Sequence, residues 1–409
     1  MEDEQVKVRC CMAGGGPAGM MLGYLLARAG VDVLVLEKHA DFLRDFRGDT
    51  VHPSTLEIMH ELGLLEDFLR CPHQELARIA AQIGETRVWV ADFSHLPTQA
   101  KFIALMPQWD FLNFLARRGR AYPSFKVRMQ AEVVELIQHN GTVIGVRAKT
   151  PKGDLRVYAE LVVGTDGRSS IVREKAGLKV LEKGAPMDAL WMRISRSQND
   201  PEQSLGRIDF GRILIMLNRG DYWQCAFLIP KGGLEPVRAR GIENFRQDIA
   251  RLAPYLRDRV GELKNWDDIK LLTVKVDRLE KWHKPGLVCL GDAAHAMSPI
   301  GGVGINLAVQ DAVAAANILA APLSANQGIA ESLEKIQSRR EFPTRVTQAM
   351  QILAQNRVIS RVLGAEKIAI PWQLKLVNRL PFLQRIPARL IGLGIRPEHV
   401  KTPDILRMG

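Results

Sequence analysis

The chain has 409 residues, 46% hydrophobic and 25% charged, with a formal net charge of +11. That apolar content, with no low-complexity run, excludes a disordered chain. Five scattered cysteines without a CxxC pair (Cys10, Cys11, Cys71, Cys225, Cys289) exclude a disulfide framework or zinc ribbon. Residues 1–9 lack the layout of a signal peptide and no run of about 18 apolar residues is seen, so a cytoplasmic location is expected.

In chain order, residues 6–12 read as a short strand and residues 20–29 as a helix of small and apolar residues. Residues 31–36 (VDVLVL) read as a buried strand that ends at Glu37. A strand, turn, helix and strand within about 30 residues open a doubly wound sheet. Residues 54–65 read as a helix, with Ser54 as N-cap, Glu57 completing a capping box and Pro53 just before it. Residues 111–118 form another short helix. From residue 127 the pattern turns to strands, with Asn140-Gly141 as a hairpin signal. Alternating segments between 185 and 230 (ALWMRIS, RILIMLN, YWQCAFLIP) predict an antiparallel sheet with one face toward a core or pocket. Residues 287–290 form a buried strand and residues 306–319 a helix. The rest is helical, punctuated by Pro343, Pro371, Pro381, Pro387 and Pro397. The fold class is therefore α/β (α+β overall): a Rossmann-like nucleotide domain, an antiparallel-sheet insertion and C-terminal helices.

Three glycine motifs carry the chemistry. The first is Gly14-Gly15-Gly16-Pro17-Ala18-Gly19. Gly14 permits a tight turn, Gly16 lets backbone amides approach a pyrophosphate at a helix N-terminus, and Gly19 lets helix and strand pack closely. Glu37, followed by Lys38, stands where a carboxylate binds ribose hydroxyls. The second, residues 161–170 (LVVGTDGRSS), delivers Asp166 into a polar loop and by itself is a common strand-to-turn exit. The third, residues 286–306, ends a strand at Gly291 and places Asp292 to accept from a sugar hydroxyl. Its Gly-rich turn leads into a helix whose free amides stabilise negative charge on a reduced ring.

These motifs, in this order and at these separations, resemble the flavoprotein aromatic hydroxylases, the family of para-hydroxybenzoate hydroxylase, over roughly residues 5–320. The resemblance implies FAD held by Gly14, Gly16, Pro17, Ala18, Gly19, Glu37 and Lys38, with Arg47, Gln108, Val134, Asp166 and Gly291 also at the cofactor. Asp292 would bind the ribityl chain, and Pro299, Gly302, Gly304, Ile305 and Asn306 would lie against the isoalloxazine. No catalytic side chain is assigned beyond the flavin-facing loop of Pro299 and Gly302, and no metal is implied. The activity implied is hydroxylation of an aromatic or polycyclic small molecule with NAD(P)H and O₂, through a flavin C4a-hydroperoxide. NAD(P)H would bind transiently, since no second GxGxxG occurs. The alternatives are an FAD-dependent reductase or dehydrogenase acting on a lipophilic substrate, or a non-catalytic flavin-binding protein.

The implied division is an FAD domain of 1–70, 100–180 and 266–330, a substrate domain of 71–99 and 181–265, and a helical region of 331–409. Substrate is expected at Trp191, Arg193, Met216, Trp223 and Phe227, with the face toward the flavin unassigned by alternation alone. Arg193 stands out because an Arg on an apolar strand usually has a partner. His295 reads as structural rather than as a base. Residues 331–409 carry 14 Lys/Arg against 6 Asp/Glu. Their Leu/Ile/Trp spacing reads first as a core-covering helical lid, and second as a weak peripheral membrane contact. Nucleic-acid binding is disfavoured because the basic residues are not interleaved with stacking aromatics.

Overall fold

The structure, a computed structural model, describes residues 4–43, 50–202, 204–209, 211–359, 362–363 and 372–407. Its larger sheet grows outward from the strand Glu4–Ala13. Val33–Leu36 and Gly153–Gly164 flank that strand in parallel, and Phe125–Arg128 and Leu287–Cys289 extend the two sides. Strands covered on both faces need apolar side chains in both directions, which is why VLVL and LVVG are continuous runs. Gly153–Gly164 serves two partners along one edge. Its first half pairs antiparallel with Thr142–Thr150, and its last residues pair parallel with Leu287–Cys289. Asn140 (φ 47°) and Gly141 (φ 76°) make the turn into that hairpin.

Helices Pro17–Arg28 and Gly304–Ser324 lie together in one core with the sheet. The stretch Ile300–Ser324 is long and apolar enough to cross a membrane, contrary to the expectation that no such run exists. It is a core helix, with 78% of its apolar window buried inside the fold. Helix Pro53–Glu61 also departs from expectation: Pro53 is its first helical residue, His52 is the cap, and no side chain caps it. Proline at that position is already set to the helical φ. Glu57, expected in a capping box, accepts the Gln99 amide instead, at 2.9 Å.

The second sheet has seven strands in the order Lys270–Leu272, Met187–Ser195, Tyr222–Pro230, Arg212–Asn218, Leu205–Asp209, Arg78–Ile83 and Thr86–Asp92. Parallel pairing of Leu205–Asp209 with Arg78–Ile83 joins segments far apart in sequence. Its two faces have different company. Leu190, Met192, Leu214, Met216, Trp223, Cys225 and Phe227 pack beneath Phe245 and Ile249 of helix Ile242–Leu252. Met187, Ala189, Trp191, Ile213 and Leu228 face the other way, toward Ile300, Val362 and Leu363.

Helix Ala330–Ala354 runs into a π-helical turn, Gln355–Ile359. Helices Trp372–Arg379 and Arg385–Gly392 then close the open edge at Thr86–Asp92, where the Trp89 amide donates to Asn378 Oδ1 at 3.1 Å. Covering an edge strand removes a site for unwanted pairing.

Candidate active site

The three glycine motifs meet at the ends of neighbouring parallel strands. Thr165 Oγ1 donates to the carbonyl of Gly14 at 2.7 Å, and the Leu290 amide donates to Gly164 O at 2.9 Å. Gly291, at φ 58°, backs onto Ala18. Gly14 has φ 112°, and a Cβ there would lie 2.4 Å from Thr165 O. A Cβ on Gly19 would lie 2.1 Å from Gly14 O. Gly16 is different: its Cβ would meet only Thr165 O, at 3.8 Å. Packing within the protein therefore explains Gly14 and Gly19, while the space beside Gly16 is left for something else. The helix beginning at Pro17 has no side-chain cap, so its first amides and its positive end face that space.

Glu37 closes the same pocket. Its carboxylate accepts from Gly15 N and His39 N, both at 3.1 Å. Lys38 is exposed beside it, and Val134 is half-buried on Glu132–His139. Asp166 accepts the Val172 amide at 3.1 Å through Oδ2. Its Oδ1 is buried with no hydrogen-bond partner among the described residues, and burial raises its pKa. Asp292 is partly exposed and 3.2 Å from the Arg168 guanidinium. An uncapped helix start, an open Gly16, a strand-end carboxylate and an orphaned carboxylate oxygen together fit a dinucleotide. Arg47 lies outside the described residues.

The third motif forms the opposite wall. Gly301 and Gly302 adopt φ 76° and 64°, and a Cβ on Gly302 would lie 2.4 Å from Thr50 Oγ1. Asn306 was expected to offer its backbone amide. Its side chain turns out to be the clasp: Oδ1 accepts from His52 N (2.8 Å) and Thr55 Oγ1 (2.7 Å), and Nδ2 donates to Thr50 O (3.2 Å). Thr50–Val51 also pairs with Ile103–Leu105, which brings Gln108, the first residue of the next helix, to the same side. His52 donates from Nδ1 to Ile391 O at 2.7 Å. Its Nε2 is buried without a partner among the described residues, and burial pushes its pKa down to about 4.

His295 is structural, fully buried and 2.6 Å from Asp311. Asp311 also accepts from Gly291 N (3.2 Å) and Arg340 Nε (2.9 Å). Burial opposes its charge, but His295 and Arg340 outweigh burial and hold its pKa low.

The substrate residues expected from sequence divide between the two faces of the sheet. Met216, Trp223 and Phe227, expected at the substrate, lie on the face packed with Phe245 and Ile249 of helix Ile242–Leu252. Trp223 Nε1 already donates to Asp200 at 2.8 Å, and Asp200 is itself paired with Arg259 at 2.6 Å. Arg193 shares the Trp191 face but lies near the strand's end, 60% exposed, over the Tyr222 ring and 3.4 Å from Asp221. It does not enter the apolar cluster. Trp191 does, together with Ile213, Leu228 and Ile300. A surface cleft of about 940 Å³ between Glu331, Arg339, Arg396 and Glu398 includes no residue of the glycine motifs.

The family described as "FAD binding domain" matches residues 7–350. The chain belongs to this family. It is 30% identical over 405 residues to a 6-methylpretetramide 4-monooxygenase of Streptomyces rimosus, covering 98% of this chain and 95% of that protein. It is 27% identical to a rifampicin monooxygenase of Streptomyces venezuelae, covering 74% of this chain and 61% of the relative. An anhydrotetracycline hydroxylase from Streptomyces rimosus shares the fold, with TM-score 0.75 at 24% identity, covering 96% of this chain and 77% of that one. The chain is an FAD-dependent aromatic monooxygenase.

Sequence reasoning missed Asp311, Arg340, Thr165, Arg168 and the Arg173–Asp277 pair (3.3 Å), which hold the strand ends in place. The one available signal was Asp311, an acid inside an Ala-rich apolar helix.

Three predictions follow from this geometry. Gly16→Ala should fold normally yet bind FAD at least ~10-fold more weakly, on the order of 1.4 kcal/mol. Gly19→Ala should lose ~1–3 kcal/mol of stability from overpacking. Denaturant unfolding and flavin fluorescence titration separate the two. Acidification should unfold the protein through His52. The unfolded histidine takes up a proton near its ordinary pKa, whereas the buried one stays neutral down to about 4. Stability is therefore retained at neutral pH and lost as pH falls across that window, by about 3 kcal/mol. His52→Asn, which keeps a donor near Nδ1, should flatten that part of the pH–stability curve.

Proposed function

We propose that the chain hydroxylates a fused-ring aromatic substrate in the space between the Trp191 face of the second sheet and the loop that follows Asp292. The observation that carries this reading is the shared apolar cluster of Trp191, Ile213, Leu228 and Ile300, which sets one sheet face against the third glycine motif. The near full-length relation to a protein named for 6-methylpretetramide supports a polycyclic ring rather than a single one. Bound FAD supplies the electron transfer and oxygen activation. Glycine-motif amides at Gly16 and Ala18 would hold its pyrophosphate, Glu37 its ribose and Asp292 its ribityl chain. Trp191 and its aliphatic neighbours orient the ring and exclude water, which protects the oxygenating step from wasteful peroxide release.

NADH or NADPH is the proposed electron source, bound transiently, since the sequence carries a single GxGxxG. The five free cysteines suit a reducing cytoplasm. Turnover of a polycyclic phenol under ¹⁸O₂ should place one labelled oxygen in the product, with NAD(P)H oxidation accelerated by that substrate. Label arriving from water instead would sink the reading.

A second reading concerns the tail. Trp372, Leu376, Phe382 and Ile386 are exposed by 69%, 41%, 58% and 60%, beside Lys375, Arg379, Arg385 and Arg389. No acidic residue occurs between 372 and 396. Exposed Trp and Phe among cations, without anions, suit the headgroup region of an anionic bilayer. Sedimentation with phosphatidylglycerol vesicles should bring the protein down at low salt and release it at high salt. Equal recovery in the supernatant with and without vesicles at low salt would leave these helices as an edge cover only.

A further inference from the structure

Helix Ala330–Ala354 carries a row of buried amides on one face. Gln348, Gln351 and Gln355 are spaced at i, i+3 and i+7, so they point the same way. Buried glutamines are costly unless each donor and acceptor is matched. Here the matching groups belong to the strand Asp277–Leu279 and, for Gln351 and Gln355, to the loop that leads from Asp292 into the turn at Gly301 and Gly302. Gln348 Nε2 donates to Asp277 O (2.7 Å) and Ala296 O (3.2 Å). Gln351 makes three bonds: Oε1 accepts from Ser298 N (3.2 Å), and Nε2 donates to Ser298 O (2.9 Å) and Ile300 O (2.8 Å). Gln355 Nε2 donates to Ser298 Oγ at 2.6 Å. The helix gives way to the π-helical turn at that residue, a geometry often found at functional sites.

We infer that Gln351, supported by Gln355, is a positioning residue for the flavin. The bond pattern is that of a strand partner supplied by a side chain. It occupies the amide and carbonyl of Ser298 and the carbonyl of Ile300, and so fixes the backbone on both sides of Pro299. Between Ile300 and the helix Gly304–Ser324 the chain has only Gly301, Gly302 and Val303, the two glycines at positive φ. Within the turn the Gly302 amide donates to Pro299 O (3.0 Å), and Thr50 Oγ1 donates to Gly302 O (2.8 Å). Its ends are held as well, by Asn306 on one side and by Gln351 on the other. Ile300 also belongs to the Trp191 cluster, so the same clasp aligns the flavin-facing loop with the substrate wall. This inference rests on the reading that residues 299–306 face the isoalloxazine.

Gln351→Met keeps the shape and removes all three bonds. Gln337→Met is the control, because Gln337 lies on the same helix and also bonds two backbone groups, Trp282 N (2.9 Å) and Glu280 O (3.0 Å), but does not touch the loop. Three quantities are read on the intact protein: amide exchange in peptides covering 296–303, FAD dissociation constant, and the visible spectrum and midpoint potential of bound FAD. Gln351→Met should speed exchange in the loop, weaken FAD roughly tenfold, and shift the flavin spectrum and potential. Gln337→Met should leave all of these at the parent values. Unchanged loop exchange in Gln351→Met overturns the clasp itself. Faster exchange with unaltered FAD affinity, spectrum and potential overturns the proposal at its other joint, because the loop then does not face the flavin. Equal flavin effects in both variants reduce Gln351 to general helix packing and also overturn it. Should Gln351→Met fail to fold, Ser298→Ala removes the Gln355 contact together with the Ile300 N bond to Ser298 Oγ (3.3 Å), leaves the three Gln351 bonds, and is held to the same readouts on a smaller scale.

Discussion

A single carboxylate with no exposure to water, Asp311, holds the cofactor end of the molecule together. A charge so placed is tolerable only if it is paired and hydrogen-bonded on every side. Asp311 reaches Gly291 N, the His295 ring and the Arg340 guanidinium. Arg340 passes on to Glu398, which Arg339 grips at 2.8 Å from the other side. The strand end bearing Asp292, the core helix, the long C-terminal helix and the last extended segment are therefore tied through one buried ionic chain. None of these partners is replaceable alone without stranding a charge in the core. That constraint explains why the C-terminal helix is so close to the site: it has to deliver Arg340 to Asp311, and the glutamines two and three turns further on then fall against the loop.

The second organising constraint is that the two faces of the seven-stranded sheet have different covers. In the seven-stranded sheet the bulkier set, Trp223, Phe227 and Met216 among them, is covered by helix Ile242–Leu252. The lighter set, Ala189, Ile213 and Leu228 with Trp191, is left to meet the third glycine motif. Large aromatics look like a substrate wall, but a large aromatic buries most area when it is sealed in a core, and Trp223 satisfies its indole N–H there through Asp200.

Much of the fold was legible because it depends on local rules. Parallel strands covered on both faces, a glycine-rich turn into an uncapped helix, and an Asn-Gly hairpin each carry their cause within a few residues. Gly14 and Gly19 are glycines because Thr165 and Gly14 backbone atoms occupy the space of a side chain. The motif spacing encodes that contact even though Thr165 is far away in sequence. The helix boundaries shifted for equally local reasons. Pro53 entered the helix rather than preceding it, and a glutamate expected to cap that helix was drawn off to Gln99.

By itself, then, the sequence determined the nucleotide fold, the open glycine turn at Gly16 into an uncapped helix, and the alternation of the second sheet, since period and glycine placement are properties of short segments. Tertiary structure alone decided which side of that sheet is the inner one. The choice depends on where helix Ile242–Leu252 docks and on the pairing of Trp191 with Ala226 and Ile194 with Trp223. It also decided that Asn306 works through its side chain and that Gln351 reaches Ser298. Those bonds join residues about 50 or about 250 positions apart. No periodicity within either segment records the partner, because the partner is supplied by the way independent elements pack.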